Sequence, residues 1–322
     1  MYPQTSGSWW AGSAPSPDYS GRVIPFVFSG LVVEKFYAAT VLGAIASTRY
    51  EGEIRNMGDK VIIRTRPNIT VSPYEIGMDL NTIVQRPSSD TIELLIDKGN
   101  VFNLALNDVH EVQSDIDLLS MWAEDAAEAM KIEVDKEVLN YLATDTTGDI
   151  DPHNRGLGAG RISGNLNMGD FGLPRSIDSQ NVIRFILDCG QVLDEQNVPE
   201  TGRWMVIPAW MNTLIKASDL KNASLAGDGT SILRNGRLGM IDRFTLYLSN
   251  NLQPIGASPS NEYPVLFGVS SALAFAAQLT KTETIRSERS FDTLLRGLEI
   301  HGRKVVNPAA IGRAIVEQDG LT

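Results

Sequence analysis

Between residues 109 and 130 the apolar side chains Val109, Val112, Ile116, Leu119, Ala123, Ala126 and Met130 recur in alternating steps of three and four. That spacing keeps side chains on one face of an α-helix. Val134, Val138 and Leu142 extend the stripe in steps of four, and nothing breaks the helix before 144–148. Asp108, followed three residues later by Glu111, fits a capping box at the start. The pattern predicts a rod of roughly 54 Å at 1.5 Å per residue, longer than ordinary globular helices. Glu111, Asp115, Glu124, Glu128, Lys131 and Lys136 occupy the opposite face, so the rod is a strut rather than a membrane span.

Periodicity predicts the other elements with less contrast. Leu31, Val32, Phe36, Val41, Leu42 and Ile45 suggest a helix over 28–47. Alternation over 61–65 predicts a strand, and Ile69 with Val71 begins a weaker one. Residues 72–90 are polar and irregular, with Pro73, Gly77 and Pro87, so 53–90 is expected to project as a two-stranded flap. A lone hairpin is marginal in water, and such a flap must rest on something else. Strands over 91–97 and 101–106 are expected to pair through a turn at Asp97, Lys98, Gly99 and Asn100. Further along come a helix over 179–196, a strand over 203–207 and a helix opened by Pro208. Strands over 244–248 and 265–269, an Ala-rich helix over 271–278, and strands over 282–289 and 294–306 complete the series. Helices and strands intermix without regular alternation, which predicts an α+β fold. Residues 1–22 are rich in Ser, Gly and Pro, with Trp9, Trp10 and Tyr19 interleaved. They form a solvated tail or an arm that orders on a partner, and the paired tryptophans favour the arm.

Composition narrows the chemistry. The chain has 322 residues, 43% hydrophobic, enough for a real core, and a formal net charge of −11 that disfavours wrapping nucleic acid by charge neutralisation. Its one cysteine, Cys189, lies in an apolar helical pattern and is expected to be a buried, reduced thiol. No basic-then-apolar leader and no long unbroken apolar run is seen, so a soluble intracellular product without membrane attachment is expected. His110, His153 and His301 are widely separated and lack metal-site spacing. The run Gly156-Leu157-Gly158-Ala159-Gly160 lacks the ending of a phosphate loop, and the acidic stretch 145–151 lacks EF-hand spacing. Both are expected to be plain loops, the second solvated. No catalytic residue, cofactor site or metal site is nominated.

Four stretches share an order with one known family. They are Tyr50-Glu51-Gly52-Glu53-Ile54 with Gly58-Asp59-Lys60-Val61; Asp97-Lys98 through Phe102 and Leu104 to Asn107-Asp108-Val109 and Gln113-Ser114-Asp115; Gly202-Arg203-Trp204-Met205-Val206-Ile207-Pro208; and Gly236, Gly239, Ile241 and Phe244 through Ser249-Asn250-Asn251, joined later by Gly302-Arg303-Lys304-Val305-Val306 and Pro308. In this order the chain resembles the major capsid protein of tailed bacteriophages, the Hong Kong 97-like fold also used by encapsulins. The resemblance implies an N-terminal arm over 1–29, an extended E-loop over 53–90, and a P-domain over 30–52, 91–160 and 282–299 that contains the long spine helix. It implies an A-domain over 161–281 and 300–322. It further implies a non-enzymatic shell protein of the virion, assembled in the host cytoplasm into pentamers and hexamers around double-stranded DNA bound without sequence specificity. Scaffolding, portal and decoration proteins would be its partners. Trp9, Trp10, Arg64, Arg66 and Tyr74 are the candidate intersubunit residues. The namesake phage joins its subunits by a Lys–Asn bond, whereas the E-loop here holds only Lys60, so no such cross-link is expected. The alternatives are an encapsulin-type compartment and, in a different class, an α+β hydrolase with a site in 145–172.

Overall fold

The computed structural model describes residues 40–49, 60–65, 67, 69–78, 84–87, 91–108, 118–145, 147–218, 239–255, 261–288 and 290–319. In chain order these form α1 (Leu42–Ile45), β1 (Lys60–Arg64), β2 (Thr91–Leu95), β3 (Lys98–Asn107) and the long helix α2 (Leu118–Thr144). There follow β4 (Arg175–Ile177), α3 (Val182–Glu195), β5 (Arg203–Ile207), α4 (Ala209–Ala217), β6 (Met240–Ile241) and β7 (Phe244–Leu248). The last are β8 (Tyr263–Val269), β9 (Leu273–Arg286), β10 (Asp292–Val305) and β11 (Ile311–Gln318).

Three sheets organise these elements. The main body is a six-stranded mixed sheet in the order β4-β11-β8-β5-β7-β6. Its middle strands are buried throughout: Arg203 to Ile207 on β5 and Ile311 to Val316 on β11. Helix α3 buries Val182, Phe185, Ile186, Cys189, Val192 and Leu193 in the same core. A charged residue survives inside β5 because it is fully paired. Arg203 donates from Nη2 to Asp194 Oδ1 and to the Val198 carbonyl, both at 2.7 Å, and from Nε to the Pro199 carbonyl at 3.0 Å. The second sheet is antiparallel, β3-β10-β9, and the third is the two-stranded ladder β1-β2.

The long helix serves two of these bodies. Successive side chains four apart advance about 40° around a helix of 3.6 residues per turn. The expected stripe therefore winds: Ala126 and Met130 lie against β3, whereas Val134, Val138 and Leu142 are buried in the main core. A single-faced stripe is corrected to a spiral that passes from one body to the other. The helix is described from Leu118, and the expected first turns, with His110 and Glu111, lie outside the described residues. Its C-terminus is closed by a distant strand. Arg313 on β11, 3% exposed, donates from Nη1 to the carbonyls of Ala143 and Thr144 at 2.9 and 3.1 Å, placing a cation where the helix dipole favours one.

Several expected elements differ. Among the described residues only Leu42–Ile45 of the 28–47 helix is helical, and Ser47 instead bridges Ala274. The 69–71 stretch is not a strand. β2 pairs with β1 rather than with β3, and the expected turn at Lys98–Asn100 is the first part of β3, extended by its ladder with β10. The Ala-rich 271–278 is a short 3₁₀ turn followed by β9. Alternation explains the misreading: Ala274 and Ala276 face the base of β1-β2, while Leu273 and Phe275 face the main core. Both faces are covered, and one is covered so closely that small residues fill it. Strands β9 and β10 run unbroken across the expected boundaries at 281/282 and 299/300. Two carboxylates of the acidic loop are paired rather than solvated. Asp145 pairs with Arg155, and Asp149 accepts from Tyr141, Thr147 and Lys304, the last at 2.6 Å.

One buried carboxylate ties the N-terminal segment to the helix. Asp135, fully buried, accepts from the Val41 and Leu42 backbone N–H groups at 2.9 Å each and from Asn251 Nδ2 at 2.7 Å. Asp135→Leu would strand all three donors. At roughly 1–3 kcal/mol per buried unpaired group, the purified subunit should lose about 3–5 kcal/mol in urea unfolding. A loss below about 1 kcal/mol would contradict this role.

Candidate interaction surfaces

The two-stranded ladder is the root of a projecting limb. Its register runs from Lys60 opposite Leu95 to Arg64 opposite Thr91. Strand alternation turns Val61, Ile63 and Leu94 inward onto Ala274 and Ala276 of β9, a small core separate from the main one. Beyond β2 the chain crosses β10 at Gly302. A Cβ there would lie 2.1 Å from the Leu95 carbonyl oxygen and 3.1 Å from the Ile96 Cα. Only a glycine admits that crossing, so the root sits directly on the three-stranded sheet.

Past Arg64 the described residues of the limb carry no strand. Gln85 substitutes for a strand partner: its Oε1 accepts from the Thr70 N–H at 3.0 Å and its Nε2 donates to the Thr70 carbonyl at 2.5 Å. The apolar side chains here find no core. Val71 is 91% exposed, Ile76 100%, Tyr74 70%, and Ile69 and Val84 each 65%. Scattered apolar residues are ordinary on a protein surface, but a run of them on one unsupported limb marks a contact waiting for a partner.

A second apolar surface lies between α2 and the edge of β3. Phe102, Leu104, Ala105 and Val101 form one wall of a groove of about 690 Å³, and Trp122, Ala126, Ala129 and Met130 form the other, with Asp125 and Glu133 at its margin. A third is the β9–β10 tip, where Phe291 is 80% exposed. That tip is tied to the end of β3 by a bidentate Arg286–Asp108 pair and by Asn107 Nδ2 donating to Asp292 Oδ1 at 2.8 Å.

Of the residues singled out from sequence, Arg64 is exposed at the end of β1 and Tyr74 is exposed on the limb. Trp9, Trp10 and Arg66 lie outside the described residues. The structure adds Ile69, Val71, Ile76 and Val84 to Tyr74. Their signal was isolated apolar residues in an otherwise polar stretch, which strand periodicity misread. The groove had no local signal, since its walls are joined only by the fold.

Little here suggests reaction chemistry. Cys189 is buried and free, and burial pushes its thiol well above the ordinary range. Glu195 is held down to about 2: burial opposes ionisation, but the backbone N–H groups of Ser163 and Ile162 and the Gln191 amide donate to it. It closes the Gly-rich loop onto α3. Among the described residues no group of three or more His, Cys, Asp or Glu side chains is placed to hold a metal ion, and no helix is long and apolar enough to cross a membrane.

Comparison with solved structures places this architecture. The chain is similar to one from Mycobacterium phage Che8, at 22% identity and a TM-score of 0.69, over 91% of this chain and 97% of that one. It is similar to the capsid of Cyanophage P-SCSP1u at 16% identity and a TM-score of 0.70, covering 92% and 93% of the two chains. It is also similar to the capsid of Cyanophage Pam1 at 10% identity and a TM-score of 0.69, covering 94% and 99%. No family model and no curated protein matches the chain. The fold is that of phage capsid structures.

Because Val71 and Ile76 bury nothing within their own chain, replacing both by Ser should leave the solitary subunit's stability within about 0.5 kcal/mol, as for other surface changes. Thermal unfolding checks this, and a loss above about 2 kcal/mol would mean that the limb packs on its own body.

Proposed function

We propose that this chain is the major capsid protein of a tailed bacteriophage, a structural and non-enzymatic subunit whose copies close into the pentamers and hexamers of an icosahedral head. The observation that carries the proposal is the limb. Five large apolar side chains stand in water on a segment with no core of its own, and identical copies are the nearest supply of a surface to cover them. Head-to-tail contacts of this kind close into rings when their rotation divides the circle. Permanent interfaces of that sort commonly exceed about 2,000 Å². The likeness to phage capsid structures over nearly the whole chain supports the same reading.

In this scheme the limb, with β1 at its base, is the E-loop, 53–90, and residues 1–29 are an N-terminal arm bearing Trp9 and Trp10. The long helix is the spine of a P-domain comprising 30–52, 91–160 and a return through β9 and β10. The six-stranded body is the A-domain around the capsomer axes. The return is proposed over 282–299, within the continuous strands β9 and β10. The net charge of −11 suits a lining that confines double-stranded DNA without gripping it, since tight binding needs many phosphate neutralisations. Scaffolding, portal and decoration proteins and assembly in the host cytoplasm complete the proposal. Lys60 pairs with Glu93 at 2.9 Å at the limb root, and the shell is proposed to hold without a Lys–Asn bond.

Negative-stain imaging of the purified protein should show shells or ring-shaped capsomers; a compact monomer at all concentrations would refute the proposal. Arg64→Glu with Arg66→Glu should lower particle yield at least several-fold while the subunit stays folded. Unchanged yield would remove both arginines from the interface.

A further inference from the structure

The seam between the long helix and the three-stranded sheet has an apolar end, the groove at Trp122 and Phe102, and a polar end that is incompletely paired. There His301 on β10 is fully buried, its ring 5.5 Å from that of Phe275 on β9. Neither ring nitrogen has an aligned hydrogen-bond partner. Nε2 stops 3.3 Å from Oε2 of Glu137 on the helix, and Arg303 Nη1 forms an ion pair with the other oxygen at 2.5 Å that is likewise not an aligned hydrogen bond. Lys98 on β3 sits directly across from His301, and Asn100, opposite Glu299, has a buried Nδ2 without a partner. The β9–β10 register also shifts between Ile300 and His301. Buried polar atoms left unpaired are costly. One carboxylate standing between two basic side chains offers an alternative pairing that this arrangement does not use.

We propose that His301 makes this seam a proton-sensitive joint. With a neutral imidazole the helix rests on the sheet as described. Protonation draws Nε2 onto Glu137 Oε2, weakens the hold of Arg303 on the same carboxylate, and re-seats the helix on the sheet. The proton comes from solvent, and the seam lies within one chain, so the joint stands independently of the assembly reading.

The groups facing His301 set its direction. Burial, the largest influence, pushes the imidazole below its ordinary value; Glu137 pulls it up, and Arg303 and Lys98 push it down. Above about 6.5, the ordinary imidazole value, histidine is neutral in folded and unfolded chains alike and contributes no pH dependence. Below that value the unfolded chain takes the proton first, so the seam loses stability as pH falls toward the lowered folded value. Glu299, raised by burial alone, is a second titratable group on the same strand and serves as the control.

The test uses the full-length subunit. Proton NMR follows the imidazole C–H signals between pH 8 and 4.5, with His301 identified by its proximity to the Phe275 ring. Hydrogen exchange across residues 122–137, corrected for intrinsic rates, is compared at pH 7.5 and 5.0 for the wild type, His301→Phe and Glu299→Gln. His301 should titrate below about 6.5. Protection should fall at least about 3-fold in the wild type and in Glu299→Gln, because the closed seam binds the proton more weakly than the open one. In His301→Phe it should change by less than about 2-fold. A value at or above 6.5, or the same acid loss in His301→Phe, would overturn the proposal. If His301→Phe does not fold, Glu137→Gln removes the one group that favours the protonated ring; it should move the His301 titration further down and leave the acid loss at least as large, and a titration moved upward would overturn the joint.

Discussion

A single helix is asked to belong to two cores. The C-terminal half of α2 is committed to the six-stranded body, where Val134, Val138, Leu139 and Leu142 are buried. The N-terminal half presents Trp122, Ala126, Ala129 and Met130 to the edge of β3 and leaves a groove there. The apolar stripe turns as it runs, because steps of four overshoot a 3.6-residue turn. Polar ties then fix the helix along its length: Asp135 holds the N-terminal segment, Glu137 meets β10, and Arg313 closes the last turn. The six-stranded and three-stranded sheets are joined by this rod and by β9, and the two-stranded ladder rests on β9 and β10.

The limb follows from that arrangement. Its root has a core of only five buried side chains, Val61, Ile63, Leu94, Ala274 and Ala276, and sits on the sheet through the gap at Gly302. Such a root can orient a limb but cannot cover it. Burying a large apolar side chain releases about 1.5–3 kcal/mol, so the five exposed on the limb could supply on the order of 10 kcal/mol toward association. Part of that is offset by the lost freedom of two bodies joining. In the proposed assembly, the limb's exposed apolar side chains and the closing of the shell are one property seen from two sides.

Much of this was legible in sequence. Helix α3, the helix after Pro208, and strands β5, β7 and β8 stand within a few residues of their periodic patterns, because each buries a contiguous apolar face in the main core. Legibility failed where a distant partner overrode local preference. Alanines at 274 and 276 suggest a helix until β10 supplies a fourteen-residue ladder on one side and the limb root covers the other. Turn chemistry at Gly99 and Asn100 is absorbed into a strand for the same reason. The seam was invisible because His301 meets Glu137 across the fold, and a lone histidine carries no spacing. Arg64 and Tyr74 were legible as exposed limb residues. The groove was not, because its two walls come from separate elements.

Hydrogen exchange of residues 69–78 in the solitary subunit and in the assembled particle tests the central claim most directly. An incomplete subunit predicts that this segment exchanges at nearly the intrinsic rate when alone and is slowed by about 100-fold or more on assembly, the protection expected from roughly 3 kcal/mol of burial and hydrogen bonding. Equal and strong protection in both states would mean that the limb is complete within its own chain, contrary to the account.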